Sequence, residues 1–202
     1  MKEDKEQLIL DTARKHFISK GFSGTRMQEI ANEAGINKAL LHYYFRSKDK
    51  LYKEVISQTL GKFIPEMAAA LSSSGTFFER TEILVNTYIE TITKNPELPL
   101  FIMSELTQNK AGFVAEMQKH ASFFPAIFSF IQQMVTEMKA GKIRKIDPMQ
   151  LMISILGMTI FPFMAKPVIC KVFGKNEVQF DEMMFERKAF IVDFIKNALK
   201  KN

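Results

Sequence analysis

The stretch from Met27 to Tyr44 constrains the fold more than any other. Ile30 and Ala31 are followed by Ala34, Gly35 and Ile36, then by Leu41 and Tyr44. Two short helices that cross closely need a small residue at the crossing, which Ala31 supplies. The turn between them needs a positive φ, which is cheap only for glycine, and Gly35 stands there. With Ile30, Ile36, Leu41 and Tyr44 turned inward, Asn37, Lys38, Leu40 and Tyr43 are left facing outward. This is the pattern of a helix-turn-helix, whose second helix reads the DNA major groove. A plain helical hairpin also satisfies the spacing, so the flanks must decide.

The flanks favour the first reading. A helix over about Lys5–Lys20 carries Leu8, Ile9, Thr12, Ala13, His16 and Phe17 at steps of three and four. Gly21 ends it and Phe22 turns back toward a small core; Thr25 is expected to cap the next helix, over about Arg26–Ala34. Asn37 is the expected N-cap of the third helix, which reaches about Phe45. Basic residues gather directly after it. Between residues 34 and 53, Lys38, Arg46, Lys48, Lys50 and Lys53 oppose only Asp49. The whole chain is basic too, with a net charge of +6 and a pI of about 9.3. A basic balance permits a polyanionic partner. Lys48 falls in the first turn of a fourth helix, where the helix dipole and amide groups also favour a phosphate.

The rest reads as helix almost throughout, with no strand-like alternation. Ser47 caps the fourth helix, which extends to Leu71 with a kink expected at Pro65. Ser72, Ser73, Ser74 and Gly75 form the clearest break. Helices are then expected at 76–94, 97–108 and 110–140, the last kinked or split near Pro125. Asp147 and Pro148 open a helix to about Pro162. A short irregular or helical piece spans 165–176, and a final helix covers about Phe180–Lys200. The predicted fold is all-α: an N-terminal three-helix helix-turn-helix domain (1–46), then a larger C-terminal helical bundle domain (47–202). The helix at 47–71 connects the two.

The run GFSGTRMQEIANEAGINKALLHYYFRSKDKLY, Gly21–Tyr52, resembles the DNA-binding domain of TetR-type (tetracycline-repressor-like) regulators. The resemblance covers residues 8–55; GKIRKIDP, Gly141–Pro148, also looks like the segment such proteins carry before their first dimer helix. It implies a ligand-responsive transcriptional regulator, expected to be a repressor. A dimer would bind a palindromic operator and be released by a small apolar or amphipathic effector. Site roles follow from the resemblance. Thr25 and Arg26 would hold or approach the DNA backbone, beside the N-cap Asn37. Lys38 and Ala39 would face bases, His42 and Tyr43 would contact phosphates, and Lys48 would anchor the far backbone. The family often has threonine where this chain has Leu40; leucine can instead touch a thymine methyl.

Phenylalanine (19) and methionine (13) are plentiful, and most lie beyond residue 60. Core filling explains any one of them. As a set they fit an adaptable apolar cavity, which the resemblance also implies. The candidate lining is Phe77, Tyr88, Met103, Gln108, Phe113, Met117, His120, Phe124, Phe128, Met158 and Phe161, with Glu105 and Asn109 as further polar anchors. The helices at 148–162 and 180–200 are apolar on more than one face, which predicts a homodimer through them.

Other chemistry lacks its residues. His16, His42 and His120 are far apart, and no phosphate-cradling glycine loop or G-x-S-x-G frame occurs, so the chain is not expected to be an enzyme. No metal or cofactor is expected. The lone Cys170 excludes an intrachain disulfide and fits a reducing cytoplasm. The opening MKEDKEQ lacks an apolar signal core, and Leu151–Ala165 falls short of the ~20 residues that span a bilayer. The alternative reading is a helical small-molecule or lipid carrier without DNA activity.

Overall fold

A computed structural model describes residues 2–200. Eleven α-helices make up the described chain: α1 (Lys2–Gly24), α2 (Met27–Glu33), α3 (Lys38–Tyr44), α4 (Lys48–Leu71), α5 (Phe77–Lys94), α6 (Leu98–Gln108), α7 (Lys110–Lys119), α8 (Phe123–Lys139), α9 (Pro148–Met164), α10 (Lys166–Phe173) and α11 (Glu177–Leu199). No strand occurs among the described residues. Local chemistry sets most boundaries. The Asn37 side chain accepts from the Leu40 N–H at 2.8 Å, Ser47 Oγ accepts from the Lys50 N–H at 3.2 Å, and Asp147 accepts from Met149 and Gln150. Thr76 with Glu79, and Asn176 with Gln179, form reciprocal capping boxes that open α5 and α11.

One expectation is corrected, and two that were left open are resolved. Thr25 does not cap α2: its hydroxyl donates to the His16 and Gly21 carbonyls at 3.1 and 2.7 Å, and Arg26 occupies the N-cap without a side-chain bond. The predicted helix over 110–140 is two helices, divided before Pro125, which then sits harmlessly in the first turn of α8. The piece after α9 is a regular helix, α10, closed by Gly174 at φ 62°.

The chain forms two compact units. One contains the residues up to Lys62 together with Leu100–Met117. Its core gathers Ile9, Ala13, Phe17, Ile30, Ala31, Leu41 and Leu51, each at most 2% exposed. Phe17, Phe22 and Tyr52 form an aromatic cluster, with Tyr52 4.8 Å from each of the other rings. The division expected after residue 46 therefore differs from this one. The first turns of α4 bring Tyr52 into the core of the helices before it.

The other unit holds Phe63–Pro99 and the chain from Gln118 onward, and is organised on α5. This helix packs against α8, α9 and α11. Phe77, Thr81, Leu84, Val85, Tyr88, Ile89 and Ile92 recur at helical spacing and are all buried. Phe77 meets Phe130 at 5.2 Å, and Phe163 meets Phe180 edge-on at 5.9 Å. Burying each such side chain contributes about 1.5–3 kcal/mol. The guanidinium of Arg80, also buried, donates to the Leu71 carbonyl and to Gln133 Oε1, satisfying the C-terminus of α4. Among the described residues no single helix is long and apolar enough to cross a membrane.

Candidate DNA-binding surface

The surface is built from α1 outward. Gly21, at φ 68° and ψ 174°, breaks α1 and lets Phe22 fold back. Thr25, 1% exposed, fastens the following turn to α1 through the two bonds described above. Polar contacts then lock α2 onto α1. His16 Nε2 lies 2.8 Å from Glu33 Oε2, and the Lys20 ammonium donates to Glu29 at 2.7 Å. The Lys20 hydrogen bond holds the Glu29 carboxyl below the usual carboxylate range. Sequence reasoning placed His16 only on the apolar face; its partners lie 13 and 17 residues away, beyond any local pattern. Gly35, at φ 64°, makes the turn into α3.

On α3, Leu41 is fully buried and Tyr44 half-buried, with Phe45 buried just beyond. The opposite face is open. Lys38, Ala39, His42 and Tyr43 are exposed, Tyr43 to 70%. Leu40 is half-buried. Asn37 is exposed but spends its carbonyl oxygen on the cap. His42 Nδ1 lies 3.3 Å from the Arg46 carbonyl, and Arg26 is exposed at the start of α2. Lys38 and His42, Ala39 and His42, and Ala39 and Tyr43 stand three or four residues apart on the exposed side of α3. Thr25 is buried, and Lys48 directs two of its hydrogen bonds inward. The Lys48 ammonium donates to the Phe22 and Thr25 carbonyls at 2.9 and 3.2 Å and lies 4.4 Å from the Phe22 ring centroid. It clasps the turn that leads into α2.

The expected cavity lining is divided between the two compact units. Phe77 and Tyr88 are core residues against Phe130 and Phe63, and Phe113 is buried. Met117, His120 and Met158 are half-buried. Met103, Gln108 and Phe124 are exposed, and Phe128 and Phe161 are 67% and 65% exposed. Helical periodicity marks a side chain as inward or outward but does not assign it to a void. Each unit carries a cleft of its own. One, of about 300 Å³ within the first unit, is lined by Phe22, Ser23, Asp49, Tyr52, Lys53, Gln108 and Asn109. Of the expected lining and its polar anchors, Gln108 and Asn109 are found in this cleft. Beneath it Glu105, fully buried, accepts from the Tyr52 hydroxyl and from Asn109 Nδ2. The other, of about 200 Å³, lies between α5 and α11 beside the Lys188–Glu90 ion pair.

In the second unit a large apolar surface remains uncovered. On α9, Met149, Ile153 and Phe161 fall at steps of four or eight and are 56–65% exposed. On α11, Phe185, Phe190 and Phe194 are 54–71% exposed.

Comparison with known proteins agrees with this geometry. Residues 9–55 match the family of bacterial regulatory proteins described as tetR, and residues 79–195 match the tetracyclin repressor-like C-terminal domain. An HTH-type transcriptional regulator of Mycobacterium tuberculosis is 35% identical over 94 residues, a match that spans 46% of this chain and 40% of that protein. RutR of Escherichia coli K12 is 28% identical over 197 residues, covering 95% of this chain and 91% of RutR. Among solved structures, HlyIIR, a haemolysin II transcriptional regulator, superposes with a TM-score of 0.62 at 22% identity, covering 91% of this chain and 98% of HlyIIR. AibR, solved with isovaleryl coenzyme A and operator DNA, superposes with a TM-score of 0.63 at 21% identity, covering 79% and 86%. The named relatives are regulators rather than enzymes. With one family profile over its helix-turn-helix and a second over more than half of its length, the chain belongs to the TetR family of transcriptional regulators.

Proposed function

We propose that the chain is a repressor that binds operator DNA as a homodimer, inserts α3 into the major groove, and is released by a small apolar or amphipathic effector. The observation that carries this reading is the outward face of α3. Lys38, Ala39, His42 and Tyr43 stand exposed on a helix whose other side is locked into a core. Lys38, Ala39 and Leu40 face bases, while Arg26, His42 and Tyr43 meet phosphates. Thr25, Asn37 and Lys48 serve the same surface by holding its backbone in place. A carrier without DNA activity would leave this face unexplained.

The apolar surfaces of α9 and α11 support the dimer. Phe161, Phe185, Phe190 and Phe194 cost free energy in water, and a two-fold pairing of these helices removes them from it. The AibR complex supports the pairing of operator with effector, by likeness of fold alone. Effector and operator favour different states and oppose each other, by ~1–3 kcal/mol of coupling. Helix α4 is common to both compact units and is the element that conveys the change. The protein works in the cytoplasm.

Selection of bound duplexes from a random pool by the purified chain tests the reading. The expected product is an approximate inverted repeat, with half-sites spaced by about one helical turn or somewhat more. Failure to retain any duplex at low salt refutes it.

A further inference from the structure

The cleft beside the helix-turn-helix has the chemistry of a binding site. Its apolar side is the Phe22 and Tyr52 rings, packed against each other at 4.8 Å between centroids and tilted by 53°. Its rim carries both signs of charge. Asp49 and Lys53 stand one helical turn apart on α4, both exposed, and Gln108 adds an amide from the end of α6. At about 300 Å³ the cleft falls at the small end of ligand sites. A ligand matched to this arrangement has a compact ring or branched apolar group, an ammonium and a carboxylate. We propose that the cleft is a second small-molecule site, taking a zwitterion of the amino-acid type with an aromatic side group.

The geometry assigns each part of such a ligand. Its ring lies on Phe22 and Tyr52. Its ammonium meets Asp49, and its carboxylate meets Lys53 and the Gln108 amide, in charge-assisted bonds. Occupancy is read by the groups behind the walls. Tyr52 and Asn109 both line the cleft and both hydrogen-bond the buried Glu105, which joins α4 to α6. Phe22 is also the residue whose carbonyl and ring are held by Lys48. A filled cleft therefore acts on the turn that aims α2 and α3. The proposal does not require the operator reading.

Calorimetric titration of the full chain without DNA tests the proposal. L-phenylalanine is expected to bind saturably, once per chain. L-alanine, phenethylamine and 3-phenylpropanoate lack the ring, the carboxylate and the ammonium respectively, and each should bind at least about tenfold more weakly. Asp49→Asn and Lys53→Gln should each weaken L-phenylalanine by a similar factor. Both positions are exposed, so the variants should keep the unfolding midpoint of the parent. Absence of saturable heat at millimolar L-phenylalanine overturns the proposal. So does binding that ignores both substitutions, or analogues that bind as tightly as the parent ligand. Because no duplex is present, none of these results depends on whether the protein binds an operator.

Discussion

Replacing Lys48 by methionine separates two jobs that a lysine can do at this position. Methionine keeps most of the aliphatic stem and removes the ammonium. In the folded protein that ammonium donates to the carbonyls of Phe22 and Thr25 and lies over the Phe22 ring. A hydrogen bond to a charged group contributes about 1.5–3 kcal/mol, and an exposed cation–π contact about 0.5–1 kcal/mol. Lys48 is half-buried, so solvent replaces part of what is lost, and a net destabilisation of about 2 kcal/mol is expected. For a chain of this length that lowers the unfolding midpoint by about 4–8 °C. Calorimetric melting measures it. Duplex binding as a function of salt supplies the second readout. A lysine on a phosphate contributes about 0.9 to the slope of log K against log salt. A clasping lysine contributes nothing to the slope, although its loss weakens binding at every salt concentration. An unchanged melting temperature with a slope reduced by about one would refute the reasoning and return Lys48 to the DNA.

Lys38→Ala should behave in the opposite way: an unchanged melting temperature with weaker duplex binding and relaxed sequence preference in the half-site. Tyr52→Phe should destabilise by about 1.5–3 kcal/mol, because it leaves the buried Glu105 carboxylate with one donor fewer. A double-mutant cycle with Glu105→Gln should then show about 1–2 kcal/mol of coupling in urea unfolding, and additivity would argue against the bond. Ile153→Asp combined with Phe190→Asp should yield folded monomers in sedimentation, since both side chains are exposed and cost the core nothing. Duplex affinity should fall at least about tenfold with the loss of the second half-site, and a variant that remained dimeric would exclude these helices as the interface.

What the sequence disclosed, and what it withheld, follows from the range of the forces involved. Gly21, Gly35, Asn37, Ser47, Asp147 and Pro148 could be read in advance because a cap or a positive-φ turn is settled within four residues. The inward face of α3 was legible at Leu41, which is fully buried, while Tyr44, expected beside it, is half-buried. Thr25 and Lys48 were not. Both look like surface donors by position, yet Thr25 also reaches the His16 carbonyl nine residues away and Lys48 the Phe22 carbonyl twenty-six away, which only the folded chain brings near. The aromatic residues of the second unit mark the same limit. Phe77 and Phe161 are both on apolar helices, but one is fully buried and the other largely exposed. Composition counts them alike; the difference lies in which helix happens to cross over each. An all-round apolar helix signals only that more than one surface wants covering, and in α9 one of those surfaces is met within the chain while the other faces outward. That residue of unmet apolar surface is why the dimer reading rests on α9 and α11 rather than on α5, whose apolar face is already satisfied at home.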